Sequence, residues 1–405
     1  MKICFETFGC RLNRAEALQQ EAEFTAAGWE RTLSHEDADL IVVRGCSVTA
    51  RAQRDCEKLI AHLREKYPQK RLVIEGCLEM RPTAAAGVPG ADLMPPGAPR
   101  HQLRDGIQDL PVPTRTSRAY LKVQDGCSGR CAFCIVPKFR GRPVSVPFDE
   151  VLARAGKFVE AGYREIVVTG CNLSLYASAG RGLAELVAAL AAVDPACRIR
   201  LGSIEPTANA GDVIHAVASS PNVCRHLHFA IQSGSNTILN LMRRPYHVHD
   251  LDRLLKMARA LLPHAALGCD IITGFPGENE LEFLATKGLL QRFAFSHIHA
   301  FPYSERPGTP AVMLGDVVPK DLRTKRAKLL SEMVAHQYSS FAKSFVGKTV
   351  EVVVEDEKHP GGWTGEYLWC SLAAADGETP DVKRKSRVRV KVTLAHHGLL
   401  AGVLV

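Results

Sequence analysis

The sequence predicts an α/β fold in three parts: an N-terminal open domain with a parallel sheet, a central partial (β/α)6 barrel, and a small C-terminal all-β barrel. Three observations predict it. Short apolar strands alternate with helical stretches from Lys2 to Phe345, the rhythm of parallel sheets. Beyond Gly347 the pattern changes to period-two strands broken by turns. Between the first two parts runs Pro82–Pro113, rich in Pro, Gly and Ala and containing Pro95-Pro96-Gly97, which reads as a linker with one short helix near His101–Gln108. The domains expected are residues 1–118, 119–345 and 346–405.

In the first part, Lys2–Thr7, Leu40–Arg44 and Arg71–Glu75 read as strands, and Arg14–Ala27 and Ala50–Lys66 as helices. In the second, the strands expected are Ala119–Val123, Glu165–Thr169, Arg198–Gly202, His226–Gln232, Leu267–Thr273 and Ser296–Phe301. The helices between them are Asp149–Ala161, Leu183–Val193, Gly211–Ala218, Asp250–Leu262 and Glu280–Arg292, followed by a long charged helix, Pro319–Ser344. Six βα units suit a partial barrel rather than the eight of a closed one. In the third part, Val350–Glu355 and Arg387–Leu394 are strands, with turns at His359–Gly362 and Asp376–Pro380. No internal repeat exceeds the βα rhythm.

Of the 405 residues, 46% are hydrophobic and 23% charged, a balance that excludes a disordered chain. Lys and Arg exceed Asp and Glu by 51 to 43, a net charge of +8, which is compatible with a polyanionic partner. The longest apolar stretch in a helix, near Leu186–Val193, is far short of a membrane span. The first residues show no signal-peptide core. The reading is a cytoplasmic protein with 13 cysteines, where patterned thiols serve as metal ligands or catalytic groups more often than as disulfides.

Cys127-Ser-Gly-Arg-Cys131-Ala-Phe-Cys134 places three thiols within eight residues, just after a strand. Three thiolates leave one coordination position open, as a catalytic centre requires, and strand C-termini are where barrels keep their chemistry. An iron–sulfur cluster is the reading preferred; the alternative is a zinc site with its fourth ligand elsewhere. Gly9-Cys10, Gly45-Cys46 and Gly76-Cys77 each follow one of the first three strands. The C-terminal ends of parallel strands lie on one edge, so these thiols should converge there, each glycine allowing a tight turn. The alternative is three buried apolar cysteines. Cys4, Cys171, Cys197, Cys224, Cys269 and Cys370 read as packing residues, and Cys56 as a surplus thiol near the first set.

The Cys-x3-Cys-x2-Cys spacing, with Phe133 before the last thiol, resembles the radical S-adenosylmethionine (SAM) superfamily. Two three-cysteine sets in this order resemble its methylthiotransferases over nearly the whole chain. The stretches that agree are Thr7-Phe-Gly-Cys10-Arg-Leu-Asn13, Cys134-Ile-Val-Pro137 through Arg140-Gly-Arg142, Cys224–His228, Gln232-Ser-Gly-Ser235, Met242-Arg-Arg-Pro-Tyr246, Gly274-Phe-Pro-Gly-Glu278 and Phe301-Pro-Tyr-Ser304 through Pro310. The likeness is strongest to the MtaB branch, which acts on N6-threonylcarbamoyladenosine beside the tRNA anticodon. The MiaB branch acts on isopentenyladenosine and the RimO branch on a ribosomal-protein aspartate. Two departures are Arg44-Gly45-Cys46, where the family has Asn-Thr-Cys, and Thr169-Gly170-Cys171-Asn172. Arg44 is expected to add positive charge beside a cluster.

The resemblance implies two 4Fe–4S clusters and two SAM molecules per turnover. Cys127, Cys131 and Cys134 would hold the catalytic cluster that cleaves SAM, and Cys10, Cys46 and Cys77 an auxiliary cluster that delivers sulfur. An external electron donor and a sulfur donor are implied, as is a C-terminal TRAM domain that binds tRNA. An unactivated adenine C2–H bond is beyond any side-chain acid or base, so a cofactor must supply that step.

Phe133, Thr169, Gly170, Glu205, Gln232 and Asp270 are candidate SAM contacts by position at strand ends, with structural hydrogen bonding or packing as the alternative role. His226, His228, His297 and His299 alternate along strands and read as strand residues rather than ligands. Lys383, Arg384, Lys385, Arg387, Arg389 and Lys391 form a basic strand face suited to a phosphate backbone; the alternative is a solvated charged strand. Trp363, Tyr367 and Trp369 are candidates for base stacking or core packing. The competing functions are methylthiolation of isopentenyladenosine or of a ribosomal-protein aspartate, and, outside enzymes, a zinc protein that binds RNA.

Overall fold

The computed structural model describes residues 1–46, 50–77, 110–374 and 378–405. Most of the expected linker, its helix near 101–108, and part of the turn at 376–380 lie outside the described residues.

The N-terminal part carries β1 (Lys2–Thr7), α1 (Arg11–Ala26), β2 (Glu30–Arg31), β3 (Leu40–Gly45), α2 (Ala50–Lys66) and β4 (Arg71–Gly76). The sheet order is β2-β1-β3-β4, all parallel. The chain leaves β1 toward β2 and returns on the other side as β3, so the strand order switches between β1 and β3. The crevice at such a switch is where open α/β sheets bind ligands. Strand β3 is buried along most of its length because both faces are covered: Ile41 and Val43 face α2, while Leu40 and Val42 pack with Phe24 of α1.

The central part runs β5 (Ala119–Asp125), α3 (Val136–Arg140), β6 (Val144–Ser145), α4 (Phe148–Glu160), β7 (Glu165–Gly170), α5 (Leu183–Val193), β8 (Arg198–Leu201), β9 (Ser203–Ile204), α6 (Ala210–Ser219), β10 (His226–Gln232), α7 (Asn236–Leu241), α8 (Val248–Leu261), β11 (Ala266–Thr273), α9 (Glu280–Arg292), β12 (His297–Pro302) and α10 (Lys320–Lys343). The strand expected over Arg198–Gly202 is divided. β8 pairs with β7, whereas β9 pairs with β10, so the sheets are β6-β5-β7-β8 and β9-β10-β11-β12. The break falls at Gly202, where an added Cβ would sit 3.1 Å from the Val168 carbonyl oxygen. Val123, Val168, Leu201, Phe229 and Ile271 share one core with Leu186, Ile214, Leu255 and Leu289 of the helices. Both sheets therefore belong to one partial barrel, as the sequence predicts. Helix α1 packs against β5 and β7, with Arg14 over the Tyr120 ring at 5.4 Å.

The C-terminal part is a closed barrel, β13-β14-β15-β17-β16, formed by Thr349–Asp356, Gly361–Thr364, Trp369–Ala373, Arg387–His396 and Leu399–Leu404. It sits at the N-terminal ends of β7 and β8. Buried Glu165 receives Arg198 and Arg200, and these guanidiniums also donate to the carbonyls of Trp363 (2.9 Å) and Thr364 (2.7 Å). The barrel thus occupies the end of the central sheet opposite to the C-terminal strand edge. No helix among the described residues is long and apolar enough to cross a membrane.

Candidate functional site: two sets of three thiols

Cys10, Cys46 and Cys77 follow β1, β3 and β4 and meet at the switch-point crevice. Gly9 has φ +93°, and a Cβ there would lie 2.7 Å from Cys46 Sγ; Gly76 has φ +79°, and its Cβ would lie 2.7 Å from the Gly45 carbonyl oxygen. These two glycines make room for the next thiol loop. Asn13, fully buried on α1, clamps the loops together by donating to the carbonyls of Phe8 and Gly45, each at 3.0 Å. Its Oδ1 accepts from Arg140 Nη2 at 3.1 Å. Cys46 and Cys77 are buried and Cys10 is exposed. Burial raises the Cys77 thiol, an effect opposed by Arg140, whose Nε donates to Cys77 Sγ at 3.4 Å. Cys56 is buried beside Cys46, and burial pushes its thiol up to about 12.

Cys127, Cys131 and Cys134 lie in the loop after β5, at the C-terminal edge of the barrel. The loop is held by its own backbone. Cys127 N–H donates to Gly141 O (3.0 Å), Ala132 N–H to Met242 O (2.9 Å), and Ala311 N–H to Ala132 O (2.8 Å). Gly126, at φ +70°, has no space for a Cβ, which would fall 2.1 Å from the Arg142 carbonyl oxygen. Buried Gln124 donates to the Asp125 and Gly126 carbonyls at 2.7 Å and accepts from Asn172 N–H at 2.8 Å. Donors point at the sulfurs. Gly129 N–H is 3.2 Å from Cys127 Sγ, and Arg244 Nη1 is 3.0 Å from Cys131 Sγ. Burial pushes the Cys134 thiol up to about 12, which metal ligation would reverse.

Arg140 joins the two sets. It ends the short helix α3 that follows Cys134, reaches Cys77, and pairs with Glu16 at 2.9 Å and Asp125 at 3.0 Å. Burial alone would raise the Glu16 carboxyl, but Lys122, Arg140 and Arg44 outweigh it and hold Glu16 well below the usual carboxylate range. Cys171 shares this neighbourhood, with Arg140, Asp125, Cys127 and Cys134 among its electrostatic neighbours. Arg44, expected to add charge beside a thiol, pairs with Glu16 (3.0 Å) and Glu75 (2.6 Å).

Two triplets of thiols, each with a guanidinium on one sulfur, suit two iron–sulfur clusters, whose thiolates and sulfides need positive and N–H partners.

The other candidate residues fall as follows. Phe133 is half-buried and edge-on to Phe275 at 6.4 Å. Thr169 is buried and Gly170 half-buried at the end of β7. Glu205 pairs with Arg244, the residue that touches Cys131. Gln232 ends β10 at φ +68°, unusual for a non-glycine residue, and coincides with a register shift in that strand. Asp270 lies 3.1 Å from His228 Nε2 and 3.0 Å from His299 Nδ1. Burial would raise its carboxyl, but these histidines hold it well below the usual range.

Within the basic stretch, Lys383, Arg384, Arg389 and Lys391 are exposed. Lys385 packs its ammonium 3.7 Å from the Tyr163 ring, Arg384 reaches the Arg115 carbonyl, and Arg387 is 3.7 Å from Glu351. Trp363, Tyr367 and Trp369 pack on one another, and Tyr367 also meets His226, so these rings fill the junction with the central part.

Sequence reasoning assigned no role to Asn13, Gln124, Arg140 or Arg244. The available signal was proximity: Asn13 lies three residues after Cys10, Gln124 three before Cys127, and Arg140 six after Cys134. Arg244 lies in the quoted Met242–Tyr246 stretch, but its approach to Cys131 is long-range and no local spacing points to it.

Comparison with known proteins places this geometry in context. The Radical SAM superfamily matches residues 121–290, and an uncharacterized family designated UPF0004 matches residues 2–87. A threonylcarbamoyladenosine tRNA methylthiotransferase MtaB of Bacillus subtilis is 32% identical, covering 90% of this chain and 89% of the relative. The same enzyme of Thermotoga maritima is 31% identical, covering 87% and 86%. A tRNA-2-methylthio-N(6)-dimethylallyladenosine synthase of Cereibacter sphaeroides is 31% identical, covering 99% and 98%. Among solved structures, a radical S-adenosylmethionine methyltransferase, TsrM, of Kitasatospora setae shares the fold, with a TM-score of 0.55 at 14% identity over 76% of each chain.

Proposed function

The chain belongs to the radical SAM methylthiotransferase family, and from that membership we propose that it installs a methylthio group at C2 of N6-threonylcarbamoyladenosine beside the tRNA anticodon. The observation that carries the reading is the pair of thiol sets bridged by Arg140. Radical chemistry and sulfur delivery need two centres within reach of one substrate carbon. SAM and 4Fe–4S clusters are the family's cofactors; once bound, they supply the radical that removes the C2 hydrogen and the sulfur and methyl that replace it.

In this reading Cys127, Cys131 and Cys134 hold the cluster that binds SAM, and Cys10, Cys46 and Cys77 hold the auxiliary one. Arg244 orients Glu205 and donates to Cys131, lowering negative charge at that centre. Arg140 does the same at Cys77 and fixes the distance between the sets. Phe133, Thr169, Gly170, Glu205, Gln232 and Asp270 remain the proposed SAM contacts, although Asp270 already meets two histidines. Lys383, Arg384, Arg389 and Lys391 are the exposed residues best placed to meet RNA phosphates; Lys385 and Arg387 would assist after releasing their protein partners. An external electron donor and a sulfur donor complete the cycle, in the cytoplasm. The likeness to MtaB enzymes supports the threonylcarbamoyl substrate.

The test is deletion of the gene in its host and mass spectrometry of bulk tRNA nucleosides. The expected result is loss of 2-methylthio-N6-threonylcarbamoyladenosine with accumulation of its precursor. Loss of the methylthio isopentenyl nucleoside instead would overturn the substrate, and unchanged tRNA would point to a protein target.

A further inference from the structure

Three histidines from β10 and β12, the strands on either side of β11, meet at the foot of the central barrel. His226 and His228 lie on one face of β10, and His297 begins β12. His226 and His228 are buried and His297 is partly so. In register, His228 stands opposite Gly268 of β11, which stands opposite His297. Gly268 is required: a Cβ there would lie 2.0 Å from His297 Nε2 and 2.6 Å from His228 Nδ1. The two imidazoles meet over this gap at 3.1 Å, and His226 Nε2 lies 3.2 Å from the same His297 nitrogen.

The surrounding groups fix where the protons are. Ser296 Oγ spends its hydrogen on the Leu267 carbonyl at 2.9 Å, so toward His297 Nδ1, 3.2 Å away, it can only accept. His297 therefore carries its proton on Nδ1 and presents a lone pair at Nε2. His228 Nε2 lies 3.1 Å from the Asp270 carboxylate without hydrogen-bond alignment, and the negative charge there disfavours a lone pair on that nitrogen. The neutral ring then presents a lone pair at Nδ1. Two lone pairs point at each other across 3.1 Å, a repulsive arrangement that a cation between them would resolve. The edge of a tetrahedral zinc–imidazole set is ~3.3 Å for metal–nitrogen bonds of about 2.0 Å. The Asp270–His228 and Ser296–His297 contacts have the form of the outer partners that orient metal-bound histidines.

We propose that His226 Nε2, His228 Nδ1 and His297 Nε2 bind one divalent cation of the zinc class, with Asp270 and Ser296 orienting the ligands. The ion ties edge strand β12 to β10 beneath Tyr367 of the C-terminal barrel, whose ring lies 4.9 Å from His226. Imidazole donors without thiolate favour zinc, cobalt or nickel over calcium or magnesium. The site shares Asp270 with the proposed SAM contacts and does not depend on which nucleoside is the substrate.

The test loads the holoenzyme, with its cysteine centres already filled with iron, with cobalt(II), followed by metal analysis after desalting and X-ray absorption at the cobalt edge. One retained equivalent with a nitrogen and oxygen shell is expected. It should be lost in His297→Ala and weakened about ten- to a hundredfold in Ser296→Ala, which leaves all three imidazoles in place. No retained cobalt, a sulfur shell, or binding unchanged in both variants overturns the proposal. If His297→Ala does not fold, Ser296→Ala decides alone.

Discussion

Arg140 donates from Nε to Cys77 Sγ at 3.4 Å while its terminal nitrogens hold Glu16 and Asp125. One side chain from the loop after Cys134 thus touches the thiol that ends β4. Its side chain is 3% exposed, so the charge acts with little screening by water. Arg140→Met should lower the reduction potential of the centre at Cys77, because it removes both a charge and a sulfur hydrogen bond. It should also lower stability, by about 1–3 kcal/mol, since Glu16, Asp125 and Asn13 each lose a charged hydrogen-bond donor while Lys122 and Arg44 still hold the carboxylates. Redox titration followed by electron paramagnetic resonance checks the first, and thermal unfolding the second. An unchanged potential in a folded variant would remove Arg140 from the site.

The two thiol sets should separate functionally. Cys127→Ala is expected to abolish 5′-deoxyadenosine formation. Cys77→Ala should retain it while yielding no thiolated product. Chromatography of the nucleosides reads both, and deoxyadenosine persisting in Cys127→Ala would contradict the assignment.

Asn13 bridges the Cys10 and Cys46 loops through the Phe8 and Gly45 carbonyls. Asn13→Ala leaves the buried Gly45 carbonyl and the part-buried Phe8 carbonyl without this donor, a cost of about 1–3 kcal/mol for the buried one. Iron bound at the N-terminal set should fall while iron at Cys127, Cys131 and Cys134 is kept. Iron analysis in a background lacking those three central thiols measures it directly, and full loading there would show that the clamp is dispensable.

How legible this molecule was depends on the range of each interaction. Period and punctuation located α9, which buries Phe283, Thr286, Leu289 and Leu290 at helical spacing, and the apolar runs of β1 and β10, and they located the strand ends that carry the six thiols. Short elements were missed. β2, α3 and α7 span two, five and six residues, too few for a period to show. The division of one strand into β8 and β9 depends on partners distant in sequence. Arg44 illustrates the same limit: its closeness to Cys46 is visible in the sequence, but its partners Glu16 and Glu75 come from other elements. The histidines read as strand residues because alternation along one strand cannot reveal that His297 comes from another.

Glu165 anchors the C-terminal barrel through Arg198 and Arg200. Burial would raise its carboxyl, but the guanidiniums hold it well below the usual range. A depressed folded value means that stability is fully present above the unfolded value, about 4.3, and declines as pH falls toward the folded one. Unfolding by urea should therefore show no pH dependence from this group at about pH 6–8 and a progressive decline below about pH 4.5. Glu165→Gln should flatten that acid limb and cost about 3–5 kcal/mol at neutral pH, leaving two buried guanidiniums without a counterion. An acid limb unchanged in the variant would assign the decline to other carboxylates.

The basic strand divides into residues that dock the barrel and residues that face solvent, and salt dependence can tell them apart. Arg389 and Lys391 are exposed, so charge reversal of both should weaken tRNA binding. The slope of log affinity against log salt should fall by roughly one for each phosphate no longer neutralised. Lys385 packs on Tyr163 and donates to the Ala161 carbonyl at 3.4 Å. Lys385→Ala should then lower thermal stability while leaving the slope unchanged. Filter binding across a salt series measures the slopes. If Lys385→Ala changes the slope and the Arg389 and Lys391 reversals do not, the RNA lies along the junction of the barrel with the central part, and the exposed strand face is merely solvated.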